Sequence, residues 1–126
     1  MPHALIIDDN RMNIEVLTLM LSHEGLTYTA LESARQLDTA LGTLDTVDVV
    51  FLDLEMPNHD GFKLIRDLKS DLRLHGAPIV AYTVHTSEVD KARHTGFDAF
   101  LGKPLNTQQF PDQLKRILAG EAVWEI

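Results

Sequence analysis

The stretch Val47-Asp48-Val49-Val50-Phe51-Leu52-Asp53 decides the fold. It is short, almost continuously apolar, rich in β-branched residues, and stops on a carboxylate. A strand with one wet face alternates apolar and polar residues, whereas a strand covered on both faces does not. Val47–Leu52 is therefore predicted as a strand buried on both sides, the habit of parallel sheets sandwiched between helices. Two other runs share the pattern. Ala4–Ile7 ends at Asp8-Asp9, and Ile79–Tyr82 follows Pro78 and ends at Thr83. Thr27–Leu31 and Ala99–Leu101 are less apolar strand candidates.

Helical spacing fills the gaps between these runs. Met12–Glu24 carries Ile14, Leu17 and Leu21 on one face and meets Gly25, a natural stop. Ser33 with Gln36 reads as a capping box for a helix through Leu37, Leu41 and Leu44. Gly61–Lys69 repeats apolar residues at Phe62, Ile65 and Leu68. Ser87–Thr95 is predicted to start on a Ser87/Asp90 cap and stop at Gly96. Asn106 with Gln109 caps a last helix bearing Phe110, Leu114, Ile117 and Leu118, with Pro111 in its first turn and Gly120 at its end. Strand and helix thus alternate five times, which implies a doubly wound α/β domain with a parallel sheet. The domain is assigned to residues 1–120, and 121–126 to a short tail.

Composition narrows the function classes. The chain has 126 residues, the size of one domain, and 11 Lys+Arg against 19 Asp+Glu give a formal charge of −8. That balance opposes direct binding to nucleic acid or an anionic membrane. With no cysteine, disulfides, thiolate metal sites and thiol catalysis are excluded. No apolar run is long enough for membrane insertion, and the start lacks the pattern of a signal peptide. A cytoplasmic domain is expected. Nothing in the sequence sets the oligomeric state.

In doubly wound sheets the ligand lies beyond the carboxyl ends of the strands. Those ends carry Asp8 and Asp9, Asp53, Thr83 and, past the fifth strand, Lys103. Three crowded carboxylates repel unless a cation intervenes. A hard divalent ion such as Mg²⁺ suits an all-oxygen set, with Mn²⁺ as the alternative. A carboxylate nucleophile beside a metal, a lysine and a hydroxyl suits phosphoryl transfer to Asp53.

The sequence closely resembles the receiver domain of two-component response regulators. The resemblance is carried by Ile6-Ile7-Asp8-Asp9-Asn10, by Phe51-Leu52-Asp53-Leu54-Glu55-Met56-Pro57 through Asp60-Gly61, by Pro78–Thr83, and by Gly102-Lys103-Pro104-Leu105. It implies a flavodoxin-like (βα)5 fold with a five-stranded sheet in the order 2-1-3-4-5. It implies Asp53 as phosphoacceptor, Asp9 as a direct Mg²⁺ ligand, Asp8 as a ligand directly or through water, and the Glu55 backbone carbonyl as a further ligand. Thr83 and Lys103 would contact the phosphoryl group. Thr83 and Phe100 would form the switch, and the Lys103–Pro104 peptide would be cis.

The chain also departs from the family. Val84 stands where a small residue is usual, at the rim of the path to Asp53. His59 replaces a common Met, and His85 follows Val84 near the same mouth. Glu55, Val84 and His85 are expected to tune rates. The function implied is a stand-alone receiver, which Met1 favours, phosphorylated by a sensor histidine kinase or histidine phosphotransfer protein and read by a downstream protein target. The alternative is an interaction module that works without phosphorylation. A metal-dependent phosphatase would need an Asp where Glu55 stands.

Overall fold

The computed structural model describes residues 1–56 and 60–125; His59 lies outside them. Its elements in chain order are β1 (His3–Ile7), α1 (Arg11–His23), β2 (Thr27–Leu31), α2 (Leu37–Thr43), β3 (Val49–Asp53), α3 (Gly61–Ser70), β4 (Ile79–Thr83), α4 (Val89–Thr95), β5 (Ala99–Gly102), α5 (Phe110–Leu118) and β6 (Val123–Glu125). All strand pairs are parallel, in the order β2-β1-β3-β4-β5-β6.

Strand parity divides the core in two. Leu5, Ile7, Val50, Leu52, Ile79, Ala81 and Phe100 face one side, where α2, α3 and α4 supply Leu41, Ile65, Leu68 and Ala92. Ala4, Ile6, Val49, Phe51, Val80, Tyr82 and Leu101 face the other, where α1 and α5 supply Leu17, Leu21, Phe110, Leu114 and Ile117. Both faces of β1, β3 and β4 are buried, which explains their unbroken apolar runs. No helix among the described residues is long and apolar enough to cross a membrane.

Local chemistry sets the helix starts. Asn10 Oδ1 accepts the Asn13 N–H at 3.1 Å and begins α1 immediately after the Asp8-Asp9 pair. Asp60 caps α3 by accepting the Phe62 N–H at 2.9 Å. Ser33 accepts the Arg35 N–H, while Gln36 Oε1 reaches back to the Glu32 N–H at 3.0 Å. Asn106 takes the N–H groups of Gln108 and Gln109 ahead of α5. The Ser87 cap does not form. A 3₁₀ turn over Thr86–Glu88 precedes α4, closed by the Glu88 N–H on the His85 carbonyl, so the helix starts at Val89 with no side-chain cap.

The larger departure is at the C-terminal end. Residues 121–126 were expected to form a tail beyond a five-stranded sheet, yet Val123–Glu125 pair with β5 as a sixth strand. After Gly120, at φ +88°, the chain turns back along the sheet. Val123 is then buried beside α5, and Trp124 packs against the opposite core with the Arg93 guanidinium over its ring at 4.8 Å. Two apolar side chains are enough because they complete layers already built.

Val123→Ala should therefore lower unfolding stability by roughly 1–2.5 kcal/mol. Urea denaturation should show an earlier midpoint at an unchanged slope. A midpoint equal to the parent's would mean that this strand adds nothing to the core.

Candidate functional site

The parity that splits the core also sorts the polar strand ends. Asp8 continues the row Ala4, Ile6; Asp53 continues Val49, Phe51; Lys103 continues Ala99, Leu101. Three charged side chains are thereby delivered to the α1–α5 side of the sheet. Thr83 continues Ile79 and Ala81 toward the side covered by α2–α4, where Phe100 also packs.

Carboxylate oxygens of Asp8, Asp9 and Asp53 lie within 4.8 Å of one another. Asp8 and Asp53 are buried, and Asp9 is exposed at the rim. Lys103 Nζ stands 3.2 Å from Asp53 Oδ1 and 3.6 Å from Asp8 Oδ2, its side chain only 9% exposed. The Lys103–Pro104 peptide is cis. The Lys103 N–H donates to the Thr83 carbonyl at 2.9 Å, which ties the loop after β5 to the end of β4.

Backbone N–H groups fix the buried carboxylates. Asn10 N–H donates to Asp8 Oδ1 at 2.8 Å, and Glu55 N–H to Asp53 Oδ1 at 3.0 Å. Each is a bond from the residue two positions on, the local turn that short acidic side chains favour. Gly61 allows the return of the chain. A Cβ there would lie 2.7 Å from Leu54 Cδ2 and 3.3 Å from Leu54 Cα, so a larger residue would have to push Leu54 aside for α3 to begin this close to β3.

Burial pushes the Asp53 carboxyl up to about 6, and Asp8 adds to the rise while Lys103 and the Glu55 N–H oppose it. Tyr82, missed by the sequence reading, donates its hydroxyl to Asp8 Oδ2 at 2.6 Å. Burial and the charges of Asp8 and Asp53 push this phenol upward, so it stays protonated and donates. The missed signal was parity: Tyr82 continues Val80 on the same face as Asp8, Asp53 and Lys103.

Glu55 does something its neighbours do not. Its carboxylate accepts the Thr83 hydroxyl and, at 2.9 Å, the Val84 N–H, with His85 Nε2 3.7 Å away. Partial burial works against ionisation of Glu55, but the Thr83 hydroxyl, the Val84 N–H, His85 and Lys103 outweigh it and hold the carboxyl below its ordinary value. The Thr83 hydroxyl in turn accepts the His85 N–H at 3.1 Å. A cavity of about 410 Å³ opens above Asp53, lined by Asp9, Asn10, Asn13, Glu55, Val84 and Lys103 among others. Val84 is 54% exposed at its edge.

Three carboxylates facing one ammonium leave negative charge uncompensated. The donors are hard oxygens without a thiolate or imidazole among them, so the set fits a divalent cation of the Mg²⁺ type.

The crowding carries a stability cost that can be measured. A carboxyl raised from the usual 3.8 to about 6 is penalised in the folded state, by roughly 1–3 kcal/mol. The penalty is absent below pH 3.8, where Asp53 is protonated folded or unfolded, grows between the two values, and is complete above pH 6. Asp53→Asn should therefore be more stable than the parent at pH 7.5 in chelator, with the gap narrowing toward pH 4. Equal urea midpoints at pH 7.5 would refute the penalty.

The family model for the response regulator receiver domain matches residues 4–115. Protein PilH of Pseudomonas aeruginosa is 30% identical over 122 residues, covering 95% of this chain and 100% of PilH. Hybrid signal transduction histidine kinase L of Dictyostelium discoideum is 28% identical over 122 residues, covering 90% of this chain but 7% of that protein. The chain thus spans the whole of one relative and a small part of another. Among solved structures, the receiver domain of sensor histidine kinase PA1611 from Pseudomonas aeruginosa, with a magnesium ion coordinated in its active site cleft, has a TM-score of 0.80 at 22% identity. That likeness covers 94% of this chain and 98% of the other. The family match runs from β1 into α5 and takes in every strand end that carries a charged site residue: this chain belongs to the response regulator receiver domain family.

Proposed function

We propose that this receiver takes a phosphoryl group onto Asp53 from a phosphohistidine of a sensor histidine kinase or histidine phosphotransfer protein, and that the modified form is read by a downstream protein in the cytoplasm. Receiver domains are signalling modules of two-component systems. The observation that carries the reading is Asp53 itself, a buried carboxylate at the floor of an open cavity, 3.2 Å from Lys103. An Asp53 oxygen attacks phosphorus, the bond from phosphorus to the donor imidazole nitrogen breaks, and the imidazole leaves with the electron pair. Lys103 meets the charge that develops on the phosphoryl oxygens. Asp9, Asp53 and the Glu55 carbonyl, with Asp8 directly or through water, would hold Mg²⁺, which when bound neutralises charge on the transferred group.

The Thr83 hydroxyl and the Val84 N–H are the donors suited to the remaining phosphoryl oxygens, and Glu55 already occupies both. Loading therefore requires the Glu55 carboxylate to withdraw. Thr83 would then follow the phosphoryl group, and Phe100, now fully buried against Ala81 and the α4 side, would respond. The same Glu55 contact favours a second reading, an interaction module that holds one conformation without phosphate.

The acceptor is tested by incubating the protein with Mg²⁺ and acetyl phosphate. Mass spectrometry should find one acid-labile phosphoryl group on Asp53, absent in Asp53→Asn and in chelator. An acid-stable phosphate on Ser or Thr would overturn the assignment, and no loading at all would favour the second reading. Rates give a further expectation. Glu55→Ala should load about tenfold faster, a barrier lowered by ~1.4 kcal/mol. Val84→Ala should speed both loading and loss of the phosphoryl group by widening the rim. Rates within twofold of the parent would show that neither side chain obstructs Asp53.

A further inference from the structure

Tyr82 occupies a place where any apolar strand residue would satisfy the sheet. It lies in β4, fully buried, in a T-shaped contact with Phe51 whose ring centres are 6.2 Å apart at 86°. A buried hydroxyl is costly without a partner, and this one is bonded to a charged carboxylate, the stronger kind of hydrogen bond. The same side chain meets the opposite charge as well: Lys103 Nζ stands 4.4 Å from the centre of its ring, within cation–π range. Asp8 Oδ1 is already taken by the Asn10 N–H, so the Tyr82 bond to Oδ2 fixes the second carboxylate oxygen and with it the plane of the group.

We propose that Tyr82 is a positioning residue that holds Asp8 by its hydroxyl and Lys103 by its ring, setting the two opposite charges that face Asp53. The packing against Phe51 keeps the ring from turning, so the distance between the two held groups is set by one rigid side chain. A metal-binding carboxylate whose plane is fixed by hydrogen bonds in this way is pre-oriented for the ion, and outer partners of this kind are worth tenfold or more in metal affinity. This inference rests on the Mg²⁺ reading given above, for its carboxylate half only.

Two substitutions separate the two contacts. Tyr82→Phe keeps the ring and its packing and deletes the hydroxyl; Tyr82→Leu deletes both. Calorimetric titration of the unphosphorylated protein with MgCl₂ should show weaker binding by on the order of tenfold in Tyr82→Phe. The Lys103 Hε resonances, shifted upfield by the ring in the parent, should keep their position in Tyr82→Phe and move downfield in Tyr82→Leu. A residue that served packing alone would lower the melting temperature without changing the Mg²⁺ dissociation constant. Mg²⁺ affinity of Tyr82→Phe within twofold of the parent, or Lys103 resonances unmoved in Tyr82→Leu, overturns the proposal. Should either variant not fold, the parent answers: the Tyr82 ¹³Cζ resonance should follow the Mg²⁺ titration, and a resonance that stays fixed through saturation overturns the carboxylate half. A parent that takes up no Mg²⁺ defeats the metal reading instead, and the clamp is then judged by the Lys103 resonances.

Discussion

The structure depends on one electrostatic constraint: a parallel sheet that ends three of its strands in charge must hold those charges together. Asp8 and Asp53 meet at the carboxyl ends of β1 and β3, out of water and close enough to repel. Among the described residues Lys103 is the side chain of opposite sign that reaches them, and it divides itself between them at 3.6 and 3.2 Å. Taking away Lys103 would leave two buried carboxylates uncompensated, whereas neutralising one of the two aspartates relieves their repulsion. The backbone N–H groups of Asn10 and Glu55 share the load, and both come from turns that the aspartates themselves organise.

A division of labour between the two faces follows from strand parity. The charged groups lie on the α1–α5 side, and the hydroxyl and aromatic pair, Thr83 and Phe100, on the side of α2–α4. Neighbouring residues on β4, Tyr82 and Thr83, thus look in opposite directions. Glu55 bridges the division. Its N–H serves Asp53 on one side, while its carboxylate takes Thr83 and Val84 on the other. Asp53 and Thr83 are therefore joined by hydrogen bonds to a single residue.

The sequence was most legible where burial on both faces removed ambiguity. The runs at Ala4–Ile7 and Ile79–Tyr82 lie within strands, and the run at Val47–Leu52 enters its strand only at Val49, because short β-branched runs bounded by turns suit strands covered on both faces, and the acids and hydroxyl that end them mark the candidate site. Legibility failed where an isolated signal was weak. Tyr82 looked like one more strand residue, since an aromatic at the end of an apolar run carries no mark of the carboxylate 74 positions away. β6 has three residues, too few for a periodicity, and it is a strand only because β5 offers an unpaired edge and two core layers need filling. Ser87 had the right chemistry for a cap, but the backbone closed a 3₁₀ turn first.

The sixth strand also furnishes the protein with an internal light source. Trp124 is the only tryptophan in the chain, and in the β5–β6 register it sits opposite Phe100. Its ring is covered by the Arg93 guanidinium of α4. The indole is thus in contact with β5, which carries Phe100, and with Arg93 of α4. Its emission, excited alone and without any label, follows the polarity and cationic cover of that corner. A rearrangement of β5 or α4 would change that emission, whereas a local change at the acidic end of the sheet that left both in place would not.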